Sequence, residues 1–175
     1  MFLTKKTYIW SDWNNGGKRD LFQLQIPEKY NHIKPERINE ISEEVAYWRK
    51  SNQIHSWFVE NVQNGVDDCG EYYVSKEKLQ ELVDLCEKVI SKVEYKEGEI
   101  LTRTTWSGGK TTHTYEKGKI VSNVEEIQQL LPSKGGFFFG STEYDEYYIA
   151  DLEQTVKQLK PLLQEEGSFY YSSSW

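Results

Sequence analysis

Hydrophobic and polar positions alternate at the start of the chain. Residues 2–10, FLTKKTYIW, mix Phe, Thr, Tyr and Ile and predict a strand. A polar turn, SDWNNGGKRD, leads to LFQLQI at 21–26, which also alternates. The two runs predict an N-terminal β-hairpin. PEKYNHIKPE then reads as a loop, and Pro35 suits the first turn of a helix. From there the period lengthens. Ile38, Ile41, Val45 and Trp48 recur at helical spacing, followed by Ile54, Trp57, Phe58 and Val62. The pattern predicts helices at about 36–50 and 52–63, with a bend near Ser51-Asn52. EYYV at 71–74 predicts a short strand.

Ser75 suits the cap of a long helix to about residue 94, with Leu79, Leu82, Val83, Cys86, Val89, Ile90 and Val93 as its apolar stripe. After Gly98, threonines dominate. EILTRTTWSGGKTTHTYEKGKIVSN has turn signals at Gly108-Gly109 and Lys117-Gly118, which predicts a three-stranded meander over about 98–122. Asn123 followed by Glu126 marks a short helix that Pro132 ends. GFFF reads as a short buried strand, and Thr142 as the cap of a last helix, with Asp145 three residues on. That helix carries Tyr148, Ile149, Leu152, Val156, Leu159 and Leu163 on one side, and Pro161 is expected to kink it. Gly167 ends it, and SFYYSSSW closes the chain as an extended tail. The expected fold is α+β, one domain over 1–175 with a mainly helical core.

Composition agrees with one domain. At 175 residues the chain is long enough to bury a core without disulfides or metal, hiding roughly 70% of its unfolded surface. Aromatic residues make up 14% and offset a hydrophobic fraction of 37%. The mean hydropathy of -0.74 implies a strongly polar surface. The net charge is -7, and the 21 basic residues are scattered, which argues against a nucleic-acid partner. Cys69 and Cys86 have no metal spacing. Cys86 falls on the helical stripe as a core residue, Cys69 falls in a loop, and a bond between them is left open. Two cysteines, no charged leader before an apolar run and no stretch of transmembrane length lead to the expectation of a cytoplasmic protein without a membrane partner.

Several stretches invite a chemical reading. SGGKTT at 107–112 resembles part of a phosphate loop, but Thr104 stands where that motif needs glycine, so it reads as a hairpin turn. Asp67 and Asp68 suit a hard cation or a cap, and capping is favoured because no third acid follows at a suitable spacing. His55 shares a helical face with Trp48, Asn52 and Val59, either as a ligand-binding face or as a polar cluster in the core. His32 and His113 lack zinc-like spacing. The Gly140-Ser141-Thr142 turn leads into a helix N-terminus that could hold an anion, but Glu143, Asp145 and Glu146 oppose one. Phe138, Tyr144, Tyr147 and Tyr148 could stack a nucleobase.

Two blocks carry a resemblance. EEVAYWRKSNQIHSWFVENVQNGVDDCGEYYVSKEKLQELVDLC and LLPSKGGFFFGSTEYDEYYIADLEQTVKQLKPLL resemble a widespread family of small phage and prophage proteins. The specific patterns are WRK-x-N-x-IH-x-WF and FFFGST-x-YDEYY, and the resemblance covers most of the chain. It implies a phage protein in the host bacterial cytoplasm and no established chemistry. It also implies that 98–122 is an insertion relative to shorter members. Trp48, Arg49, Asn52 and His55 are expected to face Phe139, Ser141, Tyr144, Asp145 and Tyr148 across a pocket. The favoured reading is a non-catalytic binding protein that sequesters a small nucleotide-type signal and so blunts host defence, with aromatics on the base and Arg49 on a phosphate. No cofactor, metal or catalytic set is expected, and a homo-oligomer is. The alternatives are a protein that inhibits or bridges a host protein by contact, and a hydrolase with His55 as base and Asp67 or Asp145 as its partner.

Overall fold

A computed structural model describes residues 1–12, 18–19, 26–136 and 141–174. The architecture is α+β. The elements run β1 (Phe2–Tyr8), β2 (Ser11–Asp12), β3 (Lys18–Arg19), β4 (Glu40–Tyr47), α1 (Asn52–Asn61), β5 (Tyr72–Val74), α2 (Lys76–Lys92), β6 (Tyr95–Ser107), β7 (Lys110–Val121), α3 (Val124–Leu130), α4 (Glu146–Leu162) and β8 (Ser168–Ser172). The main sheet is antiparallel, with strand order β4-β1-β8-β5.

The sheet sorts its residues by the period of two. Leu3 pairs with Ala46 on one side and Tyr171 on the other, and Val74 pairs with Phe169. These five are buried in one hydrophobic cluster with Ile54 and Phe58 of α1, Leu82 and Cys86 of α2, and Ile149 and Leu152 of α4. Phe58 stacks on Tyr171 with ring centroids 3.9 Å apart and planes within 9°. The neighbouring positions carry a polar and aromatic row. There Lys6 lies 4.6 Å over the Tyr170 ring, and Tyr170 meets Tyr73 edge-on.

Several expectations change. The helix expected at 36–50 is a 3-10 turn at Pro35–Arg37 followed by the edge strand β4. The reason is a bulge. Leu3 pairs with Ala46 but Thr4 with Glu44, so Val45 is an extra residue on β4. A bulge breaks the alternation of a strand, and the remaining apolar spacing imitates a helix. The β1 hairpin with 21–26 is also replaced. Both edges of Phe2–Lys6 are occupied, by β4 and β8, while 21–25 lie outside the described residues.

The tail is no appendage, because β8 is an interior strand between β1 and β5. The meander is a single long hairpin of β6 and β7. Its turn is Gly108-Gly109, at φ 56 and 76, the left-handed pair that a two-residue hairpin turn requires. Lys117-Gly118 continues the strand, with Gly118 opposite Gly98. Pro161 lies in the last turn of α4. The cap of α4 is Asp145 in place of Thr142, while Ser75 caps α2 as its sequence suggests. GFFF falls at 136–139, of which 137–139 lie outside the described residues. No helix among the described residues is long and apolar enough to cross a membrane.

Candidate functional site: a polar cleft where the two sequence blocks meet

Asn52, at the start of α1, joins the two blocks. Its amide nitrogen donates to the Ser141 carbonyl at 2.9 Å, and its amide oxygen accepts from the Lys134 N–H at 2.8 Å. One buried side chain therefore grips both ends of the 134–141 segment. Next to it, Gln53 donates to the Asp151 carboxylate at 3.2 Å and so ties α1 to α4. The backbone turns into α1 through Lys50 at φ 65, a conformation uncommon for a residue with a side chain.

The junction leaves a cleft of about 240 Å³. Arg49, Lys50 and Gln53 line it from the β4–α1 side, facing Ser141, Asp145, Tyr147 and Asp151 from the α4 side. Asp145 is only 3% exposed, and its Oδ1 accepts from the backbone N–H groups of Tyr147 and Tyr148 at 2.9 and 3.1 Å. Burial pushes its carboxyl pKa up; the two cap hydrogen bonds oppose that, and Glu143 and Glu146 add to it. Burial also pushes the Asp151 carboxyl up, Ser51 and Gln53 oppose the shift, and Asp145 adds to it. Burial thus holds both carboxyls above their ordinary range, and Glu143 adds a third acid to the lining beside Arg49 and Lys50.

The expected pocket residues fall into three groups. Arg49, Ser141, Asp145 and Tyr148 line the cleft. Tyr144 lines a neighbouring recess, and its hydroxyl accepts from the Ser133 N–H at 2.9 Å. Trp48, Asn52 and His55 are buried in structural roles. The Trp48 indole donates to Thr155 Oγ1 at 2.8 Å, which in turn donates to the Asp151 carbonyl. His55 lies between Tyr171, whose hydroxyl is 2.7 Å from Nδ1, and Asp67, whose carboxylate is 3.1 Å from Nε2. The polar-cluster alternative for the His55 face therefore describes it best. Phe139 lies outside the described residues.

Of the other lining residues, Tyr147 is one of the aromatics expected to stack a base and Lys50 adjoins Arg49 in the WRK pattern, whereas Gln53 and Asp151 were not singled out from the sequence. Asp151 had a visible signal, since it is an acid within the apolar stripe between Tyr148 and Leu152. The Tyr148 hydroxyl donates to the Leu131 carbonyl at 2.6 Å, so it braces the wall of the cleft. Asp68 accepts from the Gly70 N–H and the Tyr72 hydroxyl, holding the loop before β5. Among the described residues, no group of three or more His, Cys, Asp or Glu side chains is placed to hold a metal. Cys69 is exposed and Cys86 buried, and both thiols are free. No protein-family profile, curated protein or solved structure matches the chain.

Proposed function

We propose that the chain is a non-catalytic binding protein that sequesters a small nucleotide-type signalling molecule, in the phage anti-defence setting implied by the resemblance of its two blocks. The observation that carries this reading is the polar cleft. Two exposed cations, Arg49 and Lys50, stand beside Tyr147 and opposite the carboxyls of Asp145 and Asp151, with Glu143 also on the lining. A phosphate meets the cations, and the carboxyls accept from ribose or base N–H and O–H groups. The hydrolase reading has less support. It requires His55 beside a substrate, and His55 is buried with Tyr171 and Asp67, off the lining of the cleft.

A second reading rests on a separate observation. Trp106 and Tyr115 project from the outer β6–β7 hairpin, 74% and 55% exposed. Trp and Tyr are the residue types that anchor protein–protein interfaces, so the hairpin would be the contact surface of a protein that inhibits or bridges a host protein.

The test is depletion. The protein is mixed with a panel of cyclic dinucleotides and cyclic ADP-ribose isomers, filtered, then denatured, and both fractions are chromatographed. A compound missing from the filtrate and released intact is the expected result. A compound returned as a new species makes the protein an enzyme. A panel that passes through untouched contradicts the proposal and turns attention to the hairpin.

A further inference from the structure

The polar cleft has a larger neighbour of mixed lining. Ser141, Glu143 and Asp145 also border a second recess, of about 620 Å³, between the hairpin and the entry to α4. Ile100, Leu101, Ile120 and Val124 give it aliphatic walls, Tyr115 and Tyr144 add aromatic ones, and Lys96 and Glu99 put a charge of each sign at the base of the hairpin. The paired glycines of the hairpin build part of that wall. A Cβ on Gly98 would come within 2.6 Å of the Ile120 side chain, and a Cβ on Gly118 within 2.6 Å of Ile100. Each isoleucine therefore lies across the glycine of the opposite strand. The recess is also fixed relative to the cleft. Val121 N–H donates to the Tyr144 carbonyl at 2.9 Å, and Lys119 N–H to the Glu146 carboxylate at 3.2 Å.

Size divides the labour between the two. Small-molecule sites usually measure about 300–1,000 Å³. The polar cleft falls below that range and suits a head group, while the second recess falls within it and suits a flat body. Asp145 lines both. Its Oδ1 is occupied by the helix cap, and among the described residues its Oδ2 has no hydrogen-bond partner.

We infer that the two recesses form one bipartite site, in which a nucleotide binds across Asp145. Its phosphate lies at Arg49 and Lys50, its base lies against Leu101, Tyr115 and the crossed isoleucines, and a ribose hydroxyl donates to Asp145. This inference rests on the reading of the polar cleft as a nucleotide site.

Equilibrium dialysis of the full chain with three probes tests it: adenosine 5′-monophosphate, ribose 5-phosphate and adenosine. The nucleotide is expected to bind at least tenfold more tightly than either fragment. Arg49→Ala removes its advantage over adenosine. The Leu101→Gln/Tyr115→Ala double variant removes its advantage over ribose 5-phosphate. A thermal melt of each variant establishes that it is folded, and Tyr115→Ala alone, at an exposed position, serves if the double variant is not. Nucleotide binding that both recess variants leave unchanged overturns the bipartite site and leaves the polar cleft as the nucleotide site. Failure of adenosine 5′-monophosphate to bind, while a cyclic nucleotide does, also overturns it. Failure of every nucleotide overturns the underlying reading as well.

Discussion

Replacing Asn52 by Ala would cut both ties between α1 and the 134–141 segment, at 2.9 and 2.8 Å. Each hydrogen bond contributes about 0.5–1.5 kcal/mol net, and orphaned buried partners raise the cost. Here Lys134 and Ser141 are exposed, so water can reach the groups left behind. The loss then sits near the sum of two bonds, about 2 kcal/mol, or roughly 4–8 °C in Tm for a chain of this size. Urea unfolding should show a lower midpoint with an unchanged slope, since the surface exposed on unfolding stays the same. Asn52→Asp should be no more stable than Ala at neutral pH, because it keeps the acceptor for Lys134 N–H but sets a buried carboxylate oxygen against the Ser141 carbonyl. Ligand uptake should fall along with stability, as Ser141 and its neighbours line the cleft. A change under about 0.5 kcal/mol, with uptake intact, would refute the idea that this amide holds the two blocks together.

Four further outcomes are expected. His55→Ala should cost about 3 kcal/mol by urea unfolding, because it opens a cavity and orphans the buried Tyr171 hydroxyl, yet leave ligand uptake by the folded protein unchanged. The Asp151 carboxyl is held above its ordinary value, so its contribution to stability is present below about pH 4 and lost as pH rises through the higher folded-state value. Asp151→Asn should therefore stabilise the protein at pH 7 and flatten stability against pH over that window, as read by thermal melts. Gly118→Ala should cost about 1–3 kcal/mol and more than Gly98→Ala, since it displaces Ile100, which is buried, while Gly98→Ala displaces the less buried Ile120; paired chemical denaturation curves measure the difference. A thiol reagent at pH 8 should label Cys69 in the native protein and leave Cys86, whose thiol burial pushes up to about 12, until the protein unfolds.

The helices were legible wherever one face alone carries the apolar residues. The stripe of α2 from Leu79 to Val89 is buried as its spacing predicts, and Ser75 accepts from the Lys78 N–H at its start. The strands were legible only where nothing interrupts the alternation. On β4 one bulge at Val45 was enough to suggest a helix, because an extra residue shifts every later side chain to the other face. β8 was hidden for another reason. Its alternation of Phe169 and Tyr171 inward is present in the sequence, but pairing with a strand some 160 residues earlier leaves no local trace.

The site divides along the same line. Arg49, Ser141 and Asp145 reach the cleft, and the meeting of the two blocks follows from the Asn52 contacts. Trp48 and His55 look identical to ligand-binding residues in sequence. What removes them from the surface is packing against Thr155, Tyr171 and Asp67, all distant along the chain or across a loop. The second recess was unreadable, since its walls come from the hairpin, α3 and the 141–145 segment together.

The most direct test of the account is an amide-resolved NMR titration of the protein with each nucleotide of the depletion panel. The account predicts that at least one shifts the resonances of residues 49–53 and 141–151 together, because both sequence blocks face the same ligand. Spectra that stay unchanged with every nucleotide, or that move only at the hairpin tip around Trp106, would contradict it.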